Sequence, residues 1–222
     1  MLNYAAATGP ARFAAPPYVL FNIDEPRGPT GTVMRFARNS EIYGEDEAAE
    51  YFYQVISGAV RAYKILDDGR RQISAFYLPG DIFGLEAGDE YTSSADAIAD
   101  SHVNAIKRST VLAQADQDRS VVRQLWSLTS QELARVQNRA LLLIKTAEER
   151  VAGFLLEMAR RAATATTVQL PMCRRDIADY LGLTIETVSR TLTQFEHAGL
   201  IALPASRRVE LRDRAALNRM NS

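Results

Sequence analysis

Glu186 and Arg190 stand four residues apart in the stretch Ile185-Glu186-Thr187-Val188-Ser189-Arg190, a spacing that sets both side chains on one face of a helix. Such a pair can read base edges. A carboxylate accepts from the cytosine amino group, and a guanidinium donates two hydrogen bonds to guanine, or one to a base and one to a phosphate. Ser189 can bond to base or phosphate, and Ile185 adds an apolar contact beside them. The plain alternative is a solvent-facing i,i+4 ion pair, worth only a few tenths of a kcal/mol. Cys173, the one cysteine in the chain, is the other reactive group. It precedes Arg174 and Arg175 at what reads as a helix start, where the helix end and the guanidinium groups both favour a thiolate open to peroxide. Its plain reading is a small N-cap substitute.

The residues around the pair supply its positioning. A helix-turn-helix needs a small residue where its helices cross, a glycine for the left-handed turn and apolar residues to seal the corner. Ala178, Gly182 four positions later and Val188 six after that meet these needs, with Ile177, Leu181, Leu183 and Leu192 completing a small core. Thr184 then N-caps the second helix, so Ile185, Glu186, Ser189 and Arg190 project from its first two turns, the positions that meet base edges in the major groove. Cys173, Arg174 and Arg175 at the first helix end, and Thr184 and Thr187 at the second, face phosphates. Residues 200–203 and 209–211 flank Pro204–Arg208 as a hairpin wing whose Arg207 and Arg208 reach further phosphates. Oxidation of Cys173 to an acid would set negative charge against a phosphate, which makes it a candidate redox brake on DNA binding.

Upstream, residues 32–36, 50–56, 59–65, 72–77 and 102–107 read as strands punctuated by Gly44, Gly58, Gly69, Gly80 and Gly84, the signature of a β-sandwich or small barrel. Asp67-Asp68-Gly69 reads as a hairpin tip. Residues 118–145 contain no Gly or Pro and carry Val122, Leu125, Leu128, Leu133, Val136, Ala140 and Leu143 at helical spacing. A helix that long extends about 40 Å, more than a small domain needs, so part of its stripe is expected to meet a second chain. A further helix over 146–162 carries Val151, Phe154, Leu155 and Met158 as its core face, and a short strand follows at 168–171.

Composition agrees with this division. The chain has 222 residues, 47% hydrophobic and 24% charged, enough for two modest domains. Residues 1–150 hold 16 basic and 20 acidic side chains, whereas residues 151–222 hold 10 and 7, all ten bases being arginine. A basic C-terminal portion suits nucleic acid. One cysteine and two histidines, His102 and His197, exclude a disulfide framework and a zinc or iron-sulfur centre. They also argue against a cupin-like enzyme, whose barrel needs several histidines where this one offers His102. No run of eighteen apolar residues exists and residues 1–17 show no signal pattern, so a cytoplasmic protein without membrane contact is expected.

A β-domain, a long helix and a winged helix-turn-helix in that order resemble the CRP/FNR family of bacterial transcription regulators over nearly the whole chain. Glu186-Thr187-Val188-Ser189-Arg190 resembles the family's recognition-helix signature. Leu78-Pro79-Gly80-Asp81-Ile82-Phe83-Gly84 and Ala147-Glu148-Glu149-Arg150-Val151 resemble its β-roll and hinge segments. The FixK branch is the most similar. The resemblance implies an α+β fold: an N-terminal β-roll, the jelly roll of cyclic-nucleotide-binding domains, over 1–117, a dimerisation helix over 118–145 and a winged helix-turn-helix over 146–222. It implies a non-enzymatic homodimer that binds TTGAT-N4-ATCAA-like palindromes, contacts RNA polymerase through Leu66, Asp67, Asp68, Gly69, Arg70 and Arg71 and through residues 162–167, and activates genes for life at low oxygen.

Departures from sister branches bear on cofactors. Leu85, Ser93 and Ser94 stand where cyclic-AMP-binding members carry a Glu and an Arg-Ser pair, so a cyclic phosphate would lack its charged partner. No cysteine precedes residue 173, so the N-terminal iron-sulfur cluster of oxygen-sensing members has no ligands. Val136 replaces an Asp that holds those relatives apart, and Ile185 replaces the Arg that reads an extra guanine. The expectation is a regulator without cofactor; the alternative is one whose β-domain binds an unknown small molecule that gates DNA binding.

Overall fold

The structure, a computed structural model, describes residues 31–162 and 166–221. Residues 1–17, and the 163–165 portion of the expected polymerase contact at 162–167, lie outside the described residues.

Eight strands build the β-domain: β1 (Thr32–Phe36), β2 (Glu41–Tyr43), β3 (Tyr51–Ser57), β4 (Val60–Ile65), β5 (Arg71–Tyr77), β6 (Ile82–Phe83), β7 (Ser94–Ala97) and β8 (Ser101–Lys107). They pair antiparallel into two four-stranded sheets, ordered β1-β8-β3-β6 and β2-β7-β4-β5. Alternation along β3 explains the layering. Tyr53 and Val55 join the core cluster with Tyr43, Tyr77, Phe83 and Tyr91, while Phe52 joins a separate cluster with Ile106, Val111 and Val121. The first cluster is a stack of rings, with Tyr43 and Tyr91 centroids 3.7 Å apart, Tyr53 and Phe83 5.2 Å, and Tyr77 and Phe83 5.1 Å. The β4–β5 hairpin turns at Gly69, whose φ of +80° favours glycine.

Helices α1 (Arg108–Ala115) and α2 (Arg119–Leu143) follow. Asp118 starts α2 by accepting from the Ser120 N–H at 2.7 Å. The helix ends two residues before the expected 145, and Thr146 opens α3 (Ala147–Arg161) with a capping box: the Glu149 N–H donates to Thr146 Oγ1 at 3.3 Å and the Thr146 N–H to Glu149 Oε2 at 2.7 Å. The expected α3 stripe, Val151, Phe154, Leu155 and Met158, is buried. The rest of the chain forms β9 (Thr167–Gln169), α4 (Arg174–Leu181), α5 (Ile185–His197), β10 (Ile201–Ala205), β11 (Arg208–Leu211) and α6 (Arg214–Met220), with a three-stranded sheet ordered β10-β11-β9.

The two halves share a core. Ile73, Phe76 and Leu78 of the β-domain pack with Phe154, Leu155, Ile177 and Tyr180 in one cluster. The Phe76 ring lies 5.1 Å from Tyr180 and 6.3 Å from Phe154. Burial of three large rings fastens α3 and α4 to β5.

Candidate nucleic-acid interface

Helices α4 and α5 form the expected motif. Gly182 caps α4 with a φ of +64°, and the Leu183 N–H donates to the Ala178 carbonyl at 3.0 Å. Ala178, Leu181, Val188 and Leu192 are buried at the corner. Thr184 caps α5, its Oγ1 accepting from the Thr187 N–H at 3.2 Å, and the two hydroxyls lie 3.1 Å apart. Val188, Thr191, Leu192 and Phe195 turn inward, which leaves Glu186, Ser189 and Arg190 on the outer face of the first two turns, half-buried to exposed, while Ile185 at the start of α5 is half-buried and packs against the core. Thr193, exposed one turn later on the same face, escaped the sequence reading.

No ion pair joins Glu186 to Arg190, and Arg190 forms none with any described residue. The plain reading of the pair is therefore not what the side chains do. Hydrogen bonds from its own backbone N–H and from Thr184, reinforced by the Arg175 charge, hold the Glu186 carboxyl below the usual carboxylate range. It is an ionised acceptor at a helix N-terminus with Arg175 nearby. Arg174 and Arg175 occupy the first turn of α4, half-buried and exposed respectively. Arg208 is exposed on the wing, 3.6 Å from Glu210, but Arg207 Nη1 donates to the Pro171 carbonyl at 3.1 Å. Arg207 thus braces the wing against the segment before α4, a role that its sequence position did not suggest.

Cys173 is the N-cap residue of α4, as expected, but its partner differs from the sequence reading. Asp176 reaches back so that Oδ2 lies 3.2 Å from the Cys173 N–H and 3.1 Å from Sγ, which donates to it. The thiol is engaged by a carboxylate rather than by the Arg174 and Arg175 guanidinium groups. Asp176 is also a joint between domains: its Oδ1 accepts from Arg61 Nη1 and Arg71 Nη2, each at 2.7 Å. Arg61 further holds Asp96 through Nε and Nη2 at 2.7 and 2.8 Å. Arg71 holds Asp179 at 2.7 Å, and Gln72 Nε2 donates to the Asp179 carbonyl at 2.6 Å. Burial works to raise the Asp176 pKa, but the Cys173 hydrogen bond and the Arg61 and Arg71 charges outweigh it and hold the carboxyl below its ordinary value.

Two more joints set where the motif stands. Arg150 donates from Nε to the Lys145 carbonyl at 2.9 Å, from Nη2 to Leu143 at 2.5 Å and from Nη1 to Leu181 at 2.9 Å. It thereby ties the end of α2 to the end of α4, satisfying carbonyls that helix ends leave open. Asp81, in the Leu78-Pro79-Gly80-Asp81 turn, accepts from the Leu78 N–H and from Arg135 Nη2 of α2 at 2.7 and 2.6 Å, and pairs with Arg161 of α3.

Residues 149–220 match the family model of the Crp-like helix-turn-helix domain, and residues 33–118 match that of the cyclic nucleotide-binding domain. The nitrogen fixation regulation protein FixK of Azorhizobium caulinodans is 54% identical over 198 residues, covering 86% of this chain and 80% of the relative. FixK of Rhizobium meliloti is 40% identical over 186 residues, 83% and 85% of the two chains. The structure of FixK2 from Bradyrhizobium japonicum superposes with a TM-score of 0.84 at 52% identity, covering 87% of this chain and 98% of that one. The chain belongs to the CRP/FNR family, in its FixK-like branch. It is a DNA-binding transcription regulator and not an enzyme.

For this CRP/FNR regulator the remaining expected residues fall as follows. On α2, Val122, Leu133, Val136, Ala140 and Leu143 are exposed, but Leu125 and Leu128 pack on the cluster of Phe52, Ile106 and Val121 in their own chain. Both are half-buried by that contact within their own chain. Trp126, between them in sequence, is 76% exposed. The exposed residues Val122, Trp126, Thr129, Leu133, Val136, Ala140 and Leu143 alternate steps of four and three, a heptad spacing. Ile144, 83% exposed, lies just beyond them. At the hairpin tip Leu66, Asp67, Asp68, Gly69 and Arg70 are exposed, Asp68 pairing with Arg70 at 2.7 Å, whereas Arg71 is turned to α4. Leu85 is packed beside Phe52 and Ile106, Ser93 is half-buried, and Ser94 Oγ accepts from the Glu45 N–H at 2.9 Å. His102, exposed on β8, bonds Ser57 at 3.0 Å. Among the described residues no group of His, Cys, Asp and Glu could hold a metal, and no helix is long and apolar enough to cross a membrane.

Proposed function

We propose that the protein is a cytoplasmic homodimeric activator of low-oxygen genes, binding TTGAT-N4-ATCAA-like palindromes with one α5 in each half-site. The observation that carries this reading is the outer face of α5, where Glu186 and Arg190 stand unpaired with each other beside Ser189, with Ile185 at the helix start. Arg174, Arg175, Thr184, Thr187 and Arg208 supply phosphate contacts. The α2 seam joins two chains, and the exposed hairpin tip at Leu66–Arg70 offers the polymerase contact. Binding needs neither cyclic nucleotide nor iron-sulfur cluster. Leu85, packed beside Phe52 and Ile106, and Ser93 and Ser94 support that, since none of them offers a charged partner to a cyclic phosphate.

Cys173 serves as the redox brake. Peroxide converts its thiol to a sulfenic acid with release of water, which removes the Sγ hydrogen bond to Asp176 and adds an oxygen at the start of α4. The Arg61–Asp176–Arg71 joint and the phosphate contact at that helix end both weaken. The base-reading claim is tested by fluorescence anisotropy with base-substituted duplexes. Arg190→Ala should lose roughly ten- to hundredfold in affinity for the parent site and become indifferent to base identity at one position per half-site. An unchanged preference at every position would remove Arg190 from the reading face.

A further inference from the structure

A cavity of about 420 Å³ opens where α2, α3, α6 and β5 meet, outside the ring-filled interior of the β-domain. Its lining is strongly cationic. Arg135, Arg139, Lys145, Arg160, Arg161 and Arg214 face it, against Glu132 and Glu157. Half of these cations are already engaged: Arg135 with Asp81 and Glu132, Arg161 with Asp81 and Glu157, and Lys145 with Asn221. Arg139, Arg160 and Arg214 form no ion pair or hydrogen bond with any described residue. For Arg139 that is costly. Its Nε is buried without a partner, burial pushes its pKa down, and only the Tyr180 ring, 5.2 Å from the guanidinium carbon, compensates. Phe76, Leu156 and Tyr180, each nearly fully buried, supply apolar lining beside them.

We propose that this cavity binds a small phosphorylated molecule, its phosphate held by Arg139, Arg160 and Arg214 and its body resting on Phe76, Leu156 and Tyr180. Three guanidinium forks suit a tetrahedral dianion better than a single carboxylate, and the volume admits a phosphate with a ring-sized substituent. The three arginines come from α2, α3 and α6, so the ligand bridges the long helix to the DNA-binding portion and stabilises the docked arrangement. Binding at this place is independent of the cofactor-free DNA reading proposed above and would tune it.

Isothermal calorimetry of the full chain with phenyl phosphate, and separately with inorganic phosphate, tests the site. The expected result is saturable binding of one phenyl phosphate per chain, weaker binding of phosphate alone, and a rise in melting temperature with either. Arg160→Gln and Arg214→Gln, both at exposed positions that leave the fold intact, should each weaken binding at least tenfold, as should Arg139→Gln; Arg190→Gln, on the α5 face, should keep it. Absence of saturable heat with both probes overturns the proposal. So does binding that survives the three cavity substitutions or disappears in Arg190→Gln, since the anion would then sit on the DNA face.

Discussion

Asp176 carries several duties with one carboxylate. It reaches back to the start of α4, accepts from Cys173 Sγ, and receives Arg61 and Arg71 from the β-domain. Breaking a buried charge pair typically costs about 3–5 kcal/mol, but Arg61 and Arg71 keep Asp96 and Asp179. Asp176→Ala should therefore cost about 1–3 kcal/mol, read by chemical denaturation. The pH dependence has a definite sign. The folded carboxyl titrates below its unfolded value of about 3.9, so its stabilisation is present above that value and is lost as pH falls through the lower folded one. Thermal unfolding scanned from neutral to acid pH should show Asp176→Asn losing less stability than the wild type below about pH 4; identical slopes would mean that Asp176 contributes nothing. The proposed brake at Cys173 works through the same group. Cys173→Ala should retain DNA binding after peroxide treatment that weakens the wild type, and a variant inactivated as readily would dismiss the brake.

Among the elements, α4 and α5 were legible because their signals are local: a glycine with positive φ, a threonine cap and apolar residues at fixed offsets. The five longer β-strands were legible as runs punctuated by glycines at regular intervals, whereas β2, β6 and β7 are four residues or fewer, too short to stand out between turns. The α2 stripe was half legible. Apolar residues at helical spacing fall on two faces of a long helix, and only packing shows that Leu125 and Leu128 serve their own chain while Trp126 faces out. Trp126→Glu combined with Leu133→Glu should convert a dimer into monomers in analytical ultracentrifugation, each buried charge opposing its copy across the seam. A dimer of undiminished stability would place the interface elsewhere.

At the scale of the whole molecule, the joints that decide where α5 points were invisible in the sequence. Arg61 and Asp176 are 115 positions apart, and nothing in local spacing announces that a hairpin strand and a helix start will meet. The same holds for Asp81 with Arg161, 80 positions apart, and for Arg150 with Leu181 at the end of α4, 31 positions apart. Together these contacts make the β-domain a support that holds the reading helix in place, through the shared core of Phe76, Phe154 and Tyr180 and through charged clasps. The proposed function accordingly predicts a regulator that is competent as folded.

That competence is measured most directly by an electrophoretic mobility shift with purified, ligand-free protein, aerobic and reduced, on a TTGAT-N4-ATCAA duplex against a scrambled one. Specific retardation as a dimer without any added small molecule, diminished when reductant is replaced by peroxide, is the predicted result. Retardation that requires an added effector, or that treats both duplexes alike, would contradict the account.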